Sequence, residues 1–374
     1  MGFSKETAMM DLYIFNRIAL STSKTSEFNS AYSFVLLRDF CVVFEEIQNA
    51  FAKSITINKN VKKIRQNIKL FGKRGNLRND GVYLKIRRIH EESFASYENN
   101  IGLFLDKDKI IGSTIYGTYI FLDSEFENPY LTLYDEEFKK KLRSFLMETI
   151  ATTRKSLEPF VLENHTKKFY ENLTPIEIKN TSLIKPFDVR AELFFNDSRN
   201  KVLYQTLKFR LLICLQELNF IIFIFNNFVH RPEKEFIDEY TFMRVLTRSL
   251  DSILKNLDNL NSHSKNEYSL WLDNLEQGLK KQIEIVVNDA SLIKWASKYR
   301  NMVHYNTDSN EVFTNFYEVA INDIDFREKC YEVFSEVVLP LQKGISNFFI
   351  VTKEEQYSLS KMIYLKFKEK FHVK

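Results

Sequence analysis

Glycine is nearly absent from most of this chain. Nine glycines occur in 374 residues; six lie between Gly72 and Gly117, and only Gly278 and Gly344 follow. Glycine and proline punctuate structure, one by permitting left-handed backbone and the other by removing an amide donor. A downstream region with so few of them has to run as long helices joined by polar turns. The region before Gly117 is expected to be more irregular.

The length is enough for two or three domains and a sizeable core. Apolar residues make up 44 % of the chain, which excludes a disordered polymer. The net charge of +4 is too small to announce a polyanion partner by itself. Cys41, Cys214 and Cys330 are odd in number, far apart and in no metal-site spacing, so reduced cytosolic thiols are expected. Residues 1–10 lack the apolar core of a signal peptide, and Glu6 stands where a myristoylation motif needs Ser or Thr. These features together predict a cytoplasmic protein.

The most apolar run, residues 211–228, contains Gln216, Glu217, Asn219, Asn226 and Asn227. A membrane span needs about 20 nearly uninterrupted apolar residues, and a carboxylate within one is costly. A helix buried inside a protein bundle is the expectation, apolar on most sides and therefore central, over residues 201–229. Glu217 is read either as a buried partner for Arg300 or as a polar residue in an interface.

Helical spacing recurs along the chain. Residues 30–53 carry Phe34, Leu37, Cys41, Phe44, Ile47 and Phe51 on one stripe. Helices are also predicted over residues 135–172 with a kink at Pro159, and over 236–260, 267–287, 290–305, 311–322 and 325–349 with a bend at Pro340. Residues 110–122, rich in β-branched and aromatic side chains, fit either a small hairpin or an apolar helix and are read as strand. Pro175 and Pro186 mark a boundary or crossover near residue 190. The fold class is thus mainly α: a mostly helical N-terminal domain over 1–190 with a small β-hairpin, then a helical bundle over 191–374.

Residues 51–90 are strongly basic and hold Asp80 as their one acid. Lys62, Lys63, Arg65, Lys69, Lys73, Arg74, Arg87 and Arg88 are candidates for gripping an RNA or DNA backbone. A solvated helix face, or a patch docked on an acidic region of the same protein, accounts for them equally well.

The densest chemistry lies in residues 293–305, which place Arg300, Asn301, His304 and Tyr305 in one window. Residues four apart on a helix differ by about 40° of rotation, so Arg300 and His304 would share a face. A guanidinium holds phosphate with fixed, permanent charge, and an imidazole moves protons near neutral pH. Together they suit acid–base work on a phosphodiester. An ordinary surface ion pair and a structural histidine are the competing account. No P-loop, dinucleotide fingerprint, metalloprotease motif or nucleophile elbow is present, so no metal or other cofactor is expected.

Arg-Asn-x-x-His-Tyr after long helices resembles the HEPN superfamily, helical bundles of which many are metal-independent endoribonucleases of toxin–antitoxin and antiphage defence systems. The resemblance covers residues 201–322. It implies Arg300 as the phosphate-binding arginine, Asn301 as the orienting polar residue, His304 as the proton-transfer group and Tyr305 as an accessory. Three residues separate Arg300 from His304, one fewer than the family's usual minimum. It further implies RNA as substrate, a homodimer with two motifs facing across a cleft, and an antitoxin or inhibitor protein as partner. A catalytically silent HEPN-like binding or dimerisation module is the alternative.

Overall fold

Why polar residues interrupt the most apolar helix is the question that opens the architecture. In the computed structural model, that helix is α5, Lys201–Ile224, continued by a π-helical turn at Phe225–Val229. The structure describes residues 5–23, 30–51, 59–71, 100–106, 109–121, 144–145, 147–149, 151–152, 175–178, 184–190, 201–262, 275, 277–302, 315–349 and 356–357. Leu211, Leu212, Leu215, Leu218, Phe220, Ile221 and Ile224 of α5 are buried. The stretch Leu207–Val229 is long and apolar enough to cross a membrane, yet 78 % of it is buried inside the protein.

Before α5 come α1 (Lys5–Ser23), α2 (Ser30–Phe51), α3 (Lys59–Phe71), strands β1 (Asn100–Asp106) and β2 (Lys109–Ser113), helix α4 (Thr114–Phe121) and strand β3 (Ile184–Arg190). After it come α6 (Phe236–Ser262), α7 (Gln277–Asn288), α8 (Ala290–Asn301), α9 (Phe316–Asn322), α10 (Ile324–Val333), a second π turn (Phe334–Val338), α11 (Leu339–Phe348) and the two-residue β4 (Gln356–Tyr357). The described residues are mainly helical, as expected from the glycine pattern.

The sheet is antiparallel in the order β2-β1-β3-β4. The β1–β2 hairpin slips register between Phe104 and Leu105, which leaves Ile111 as the extra residue of a bulge. Pro186 in β3 is tolerated because β4 pairs only at Asp188 and Val189, beyond the proline.

The interruptions in α5 now have reasons. The outer edge of β2 lies against α5, where a bare strand edge would leave backbone groups buried and unbonded. Gln216 Oε1 accepts from the Ser113 amide at 2.9 Å, and Asn219 Nδ2 donates to the Ile111 carbonyl at 3.3 Å. Gln342 of α11 in turn donates to Asn219 at 3.0 Å. Asn227 Nδ2 donates to the Phe223 carbonyl at 2.9 Å in the π turn. Glu217 belongs to the site described below.

The strand expected over 110–122 needs correcting. Only its start is β2; Thr114–Phe121 is helical. Ile115, Tyr116, Tyr119, Ile120 and Phe121 are all buried between α2, α3 and α5. In a dry interior without a further strand beside it, a helix satisfies its own backbone where a strand would not. The helix expected over 135–172 lies almost wholly outside the described residues, as does the first part of that expected over 267–287.

Side chains from both sides of residue 190 meet in one hydrophobic core, from Ala8 and Phe34 through Leu215 and Leu246 to Ile345. Buried ion pairs cross the same divide. Arg244 of α6 donates to both carboxylate oxygens of Asp11 in α1, at 2.7 and 2.6 Å, with both residues fully buried. Arg17 of α1 reaches Asp238 of α6 at 2.5 Å. At the far end the two π turns face each other: Phe225 and Phe334 stack at 4.1 Å, with Phe242 edge-on to both.

Gly117 of α4 faces the Phe34 ring of α2. A Cβ built there would lie 2.6 Å from two ring atoms of the buried Phe34. The ring is itself held edge-on by Phe121 at 5.7 Å. Gly117→Ala is expected to destabilise the protein by about 1–3 kcal/mol, read as a lower denaturant midpoint. An unchanged midpoint would mean that this contact is loose.

Candidate functional site

Six helices, α2, α3, α4, α5, α6 and α8, close around a cavity of about 440 Å³. Its walls carry Arg38, Arg65, Arg248, Lys255 and Arg300 against Asp39, Glu217 and Asp251. Such a density of charge in a helical interior requires that each helix turn a polar face inward. In α6 that face is Arg248, Asp251, Ser252, Lys255 and Asn256, at the i, i+3, i+4, i+7, i+8 spacing of one stripe. The apolar stripe of Leu246, Leu250, Ile253, Leu254 and Leu257 packs into the core.

The side chains grade from rim to floor. Lys255 is 54 % exposed and Arg300 28 %; Asp251 falls to 7 %, Arg38 to 4 % and Glu217 to 1 %. Asp251 accepts from Lys255 Nζ at 2.7 Å and lies 3.5 Å from Arg300 Nε. Deeper, Arg38 donates from Nε and Nη2 to Asp39 Oδ1 at 2.9 and 2.6 Å. Arg248 Nη2 donates to the other Asp39 oxygen at 3.2 Å, and its guanidinium lies 4.9 Å over the Phe15 ring. Arg65 pairs with Glu45 at 2.8 Å and Glu46 at 3.3 Å.

Glu217 is the group at the floor. Its Oε1 accepts from Arg38 Nη1, from the Tyr116 hydroxyl at 3.2 Å and from the Ser252 hydroxyl at 3.4 Å. Its Oε2 has no partner among the described residues, and neither has Arg248 Nε. Burial pushes the Glu217 carboxyl up; Arg38 draws it back in part and Asp39 pushes it further, leaving its pKa at about 7. For Arg38, burial opposes the charge, but Asp39 and Glu217 outweigh it and its pKa rises. Burial lowers the pKa of Arg248, against the pull of Asp39.

Arg300 is held at the rim by the architecture of α8. Asp289 caps the helix, accepting from the Leu292 amide at 2.9 Å and from the Ser291 hydroxyl at 2.6 Å. Leu292, Ala296 and Tyr299 are buried, with Tyr299 4.3 Å from Phe326 and Trp295 stacked on the same ring at 5.9 Å. That anchoring turns Arg300 toward α6. Asn301 is exposed beside it and accepts from Arg300 Nη1 at 3.3 Å. The described part of α8 stops at Asn301, so His304 and Tyr305 lie outside the described residues.

The basic segment divides. Lys62 is exposed and Lys63 half-buried on α3, while Arg65 is buried, ion-paired and turned to the cavity. Lys69 is placed in α3 by its backbone; Lys73, Arg74, Arg87 and Arg88 lie outside the described residues. The guanidinium that pairs with Glu217 is Arg38; Arg300 shares the cavity with it. Arg38, Asp39 and Arg248 were not among the candidates. Their one local signal was charge inside an apolar stripe, as with Arg38-Asp39 in α2.

Compared with protein-family models, curated proteins and solved structures, the chain matches none. The site is therefore read from its own residues.

The raised Glu217 pKa has a consequence for stability. The folded state holds this proton up to about pH 7, whereas an ordinary glutamate carboxyl releases it near 4.5. The folded state thus binds more protons in that window, and stability from this group falls as pH rises from about 4.5 to about 7. The loss is on the order of 3 kcal/mol. Glu217→Gln should flatten this part of the pH–stability curve, measured by denaturant unfolding across the window. A variant curve parallel to that of wild type would contradict it.

Proposed function

We propose that the protein is a metal-independent endoribonuclease of HEPN type, acting as a toxin or antiphage effector in the cytoplasm. The observation that supports this most is a coincidence reached from two directions. The motif arginine, chosen by its neighbours in sequence, belongs to the rim of the charged cavity described above. A phosphodiester would take the place of Asp251 beside this part-exposed guanidinium, with Arg248 and Lys255 lining the same cavity.

In this reading a base removes the proton of an RNA 2′-hydroxyl and the oxygen attacks the adjacent phosphorus. The bond to the 5′-oxygen breaks, and that oxygen leaves with a proton from an acid. His304 serves one of these proton roles, Arg300 binds the charged phosphoryl oxygens, and Asn301 orients Arg300. Tyr305 is an accessory residue in this reading. Lys62, Lys63, Lys69, Lys73, Arg74, Arg87 and Arg88 carry the RNA backbone; Arg65, buried and ion-paired, does not. A second copy of the chain supplies the second histidine. Exposed isoleucines on the elements around α8 favour such pairing: Ile285, Ile293, Ile321 and Ile324. An inhibitor or antitoxin protein would cover the same face.

A silent binding or dimerisation module is the second reading. What favours it is that Arg300 is already engaged, by Asp251 and Asn301.

The test is incubation of purified protein with total RNA, followed by mapping of the new ends. Wild type is expected to leave 2′,3′-cyclic phosphates and 5′-hydroxyls. Arg300→Ala and His304→Ala should each slow cleavage by at least about 100-fold. Intact RNA with all three proteins, together with a changed oligomeric state in the variants, would favour the silent module instead.

A further inference from the structure

The cavity behind Arg300 has a carboxylate at each end. Asp251 is at the rim, 2.7 Å from Lys255 Nζ and 3.5 Å from Arg300 Nε. Glu217 is at the floor and 1 % exposed. Both line the same volume, walled by six helices. Charges separated by protein rather than by bulk water feel each other strongly, so the two ends cannot be indifferent to one another.

The charges around this volume are closely matched among the described residues. Arg38 of α2 and Arg248 of α6 share Asp39, and Lys255 of α6 and Arg300 of α8 share Asp251. Arg65 of α3 takes Glu45 and Glu46. The ionised Glu217, paired to Arg38, brings these guanidinium and ammonium groups to parity with the carboxylates. With Glu217 neutral, one positive charge is left over, and an added phosphodiester restores the match.

Glu217 is also built to take the proton. Its Oε1 accepts from Arg38, Tyr116 and Ser252, whereas its Oε2 has no partner among the described residues. A proton added at Oε2 breaks no hydrogen bond. The other titratable neighbours do not compete: burial holds the Tyr116 and Tyr119 hydroxyls of α4 and the Cys214 thiol of α5 in their protonated forms. Arg210 of α5 is turned to Asn256. The Glu217 carboxyl, already lifted by burial to about 7, changes charge near neutrality.

We infer that an anion at the rim and a proton at the floor bind together: a phosphodiester that takes the place of Asp251 beside Arg300 draws a proton onto Glu217 Oε2. The inference rests on the rim receiving an RNA phosphate, as in the ribonuclease reading, and not on any bond being cut. It makes pH a control on RNA affinity. The added negative charge favours the protonated carboxyl. Affinity is therefore highest where Glu217 already holds its proton, and it falls as pH rises through the range in which the free protein loses that proton.

The full-length chain carrying His304→Ala, which removes the motif imidazole from the titration, is the background for the test. It is titrated with a short single-stranded RNA whose 2′-hydroxyls are methylated against cleavage. Binding should be at least about threefold weaker at about pH 8 than at about pH 6. Calorimetry near neutrality in two buffers of different ionisation enthalpy should show uptake of a fraction of a proton per RNA bound. Adding Glu217→Gln should abolish both the uptake and the pH dependence, leaving RNA bound as tightly at the higher pH as at the lower. Ser252→Ala is the second variant, with unfolding midpoints as the check on folding in both. It removes a donor that favours the charged carboxyl, so it should move the pH dependence to higher pH. RNA that binds with no proton uptake, or a pH dependence that Glu217→Gln and Ser252→Ala leave in place, would overturn the coupling and leave the ribonuclease reading standing. RNA that does not bind at either pH would remove both.

Discussion

Charge without water has to find its counter-charge, and that requirement ties the N-terminal helices to the centre of the molecule. Four contacts do it: Asp11 with Arg244, Arg17 with Asp238, Asp39 with Arg248, and Arg38 with Glu217. Each joins residues some two hundred positions apart. Pairs of this kind add little net stability, because desolvation offsets most of the attraction. Their force is conditional. A shift of α1 or α2 by one turn leaves a guanidinium buried alone, at a cost of about 3–5 kcal/mol per broken pair. Apolar contacts among so many Phe, Ile and Leu side chains would tolerate several alignments; the ion pairs leave one.

The same constraint shapes the cavity. Asp39 of α2 takes its neighbour Arg38 on one oxygen and Arg248 of α6 on the other, so the Arg248–Asp39 contact is the one that fixes α6 against α2. Glu217 closes the floor from α5. What remains between the helices is a volume whose deep end is structural and whose rim, Lys255 and Arg300, is reachable. Buried pairing and exposure are thus divided along one axis. The groups that order the fold lie inside, and those able to meet a ligand lie where exposure rises.

How much of this was legible beforehand varies by element. Residues 30–53, 201–229 and 236–260 declared themselves because a strong apolar period or a continuous apolar run needs no tertiary information. Residues 110–122 did not, since β-branched content argues for strand while complete burial favours a self-satisfied helix, and burial is a property of the neighbours. Strands β3 and β4 were missed for the same reason. Arg300 was legible through its local company. Arg38 and Arg248 were not, because their partners stand far along the chain and a lone arginine on an amphipathic helix looks like a surface residue. Arg65 was grouped with its basic neighbours by composition, but its place on the inner face of α3 separates it from Lys62.

The π turn at Phe334–Val338 sits between two α-helical segments with Pro340 just after it. A turn of this type is one residue more than the helix needs, wound in without disturbing the register on either side. It also meets the proline's demand, since Pro340 has no amide to donate to a preceding carbonyl. Shortening most helices by one residue rotates everything beyond by about 100°, which here would swing Leu341 and Ile345 out of the interior. Between 334 and 338 the slack is already present. This is the place in the C-terminal helices where the chain can lose a residue and keep its faces, so length differences among descendants of this sequence should collect there.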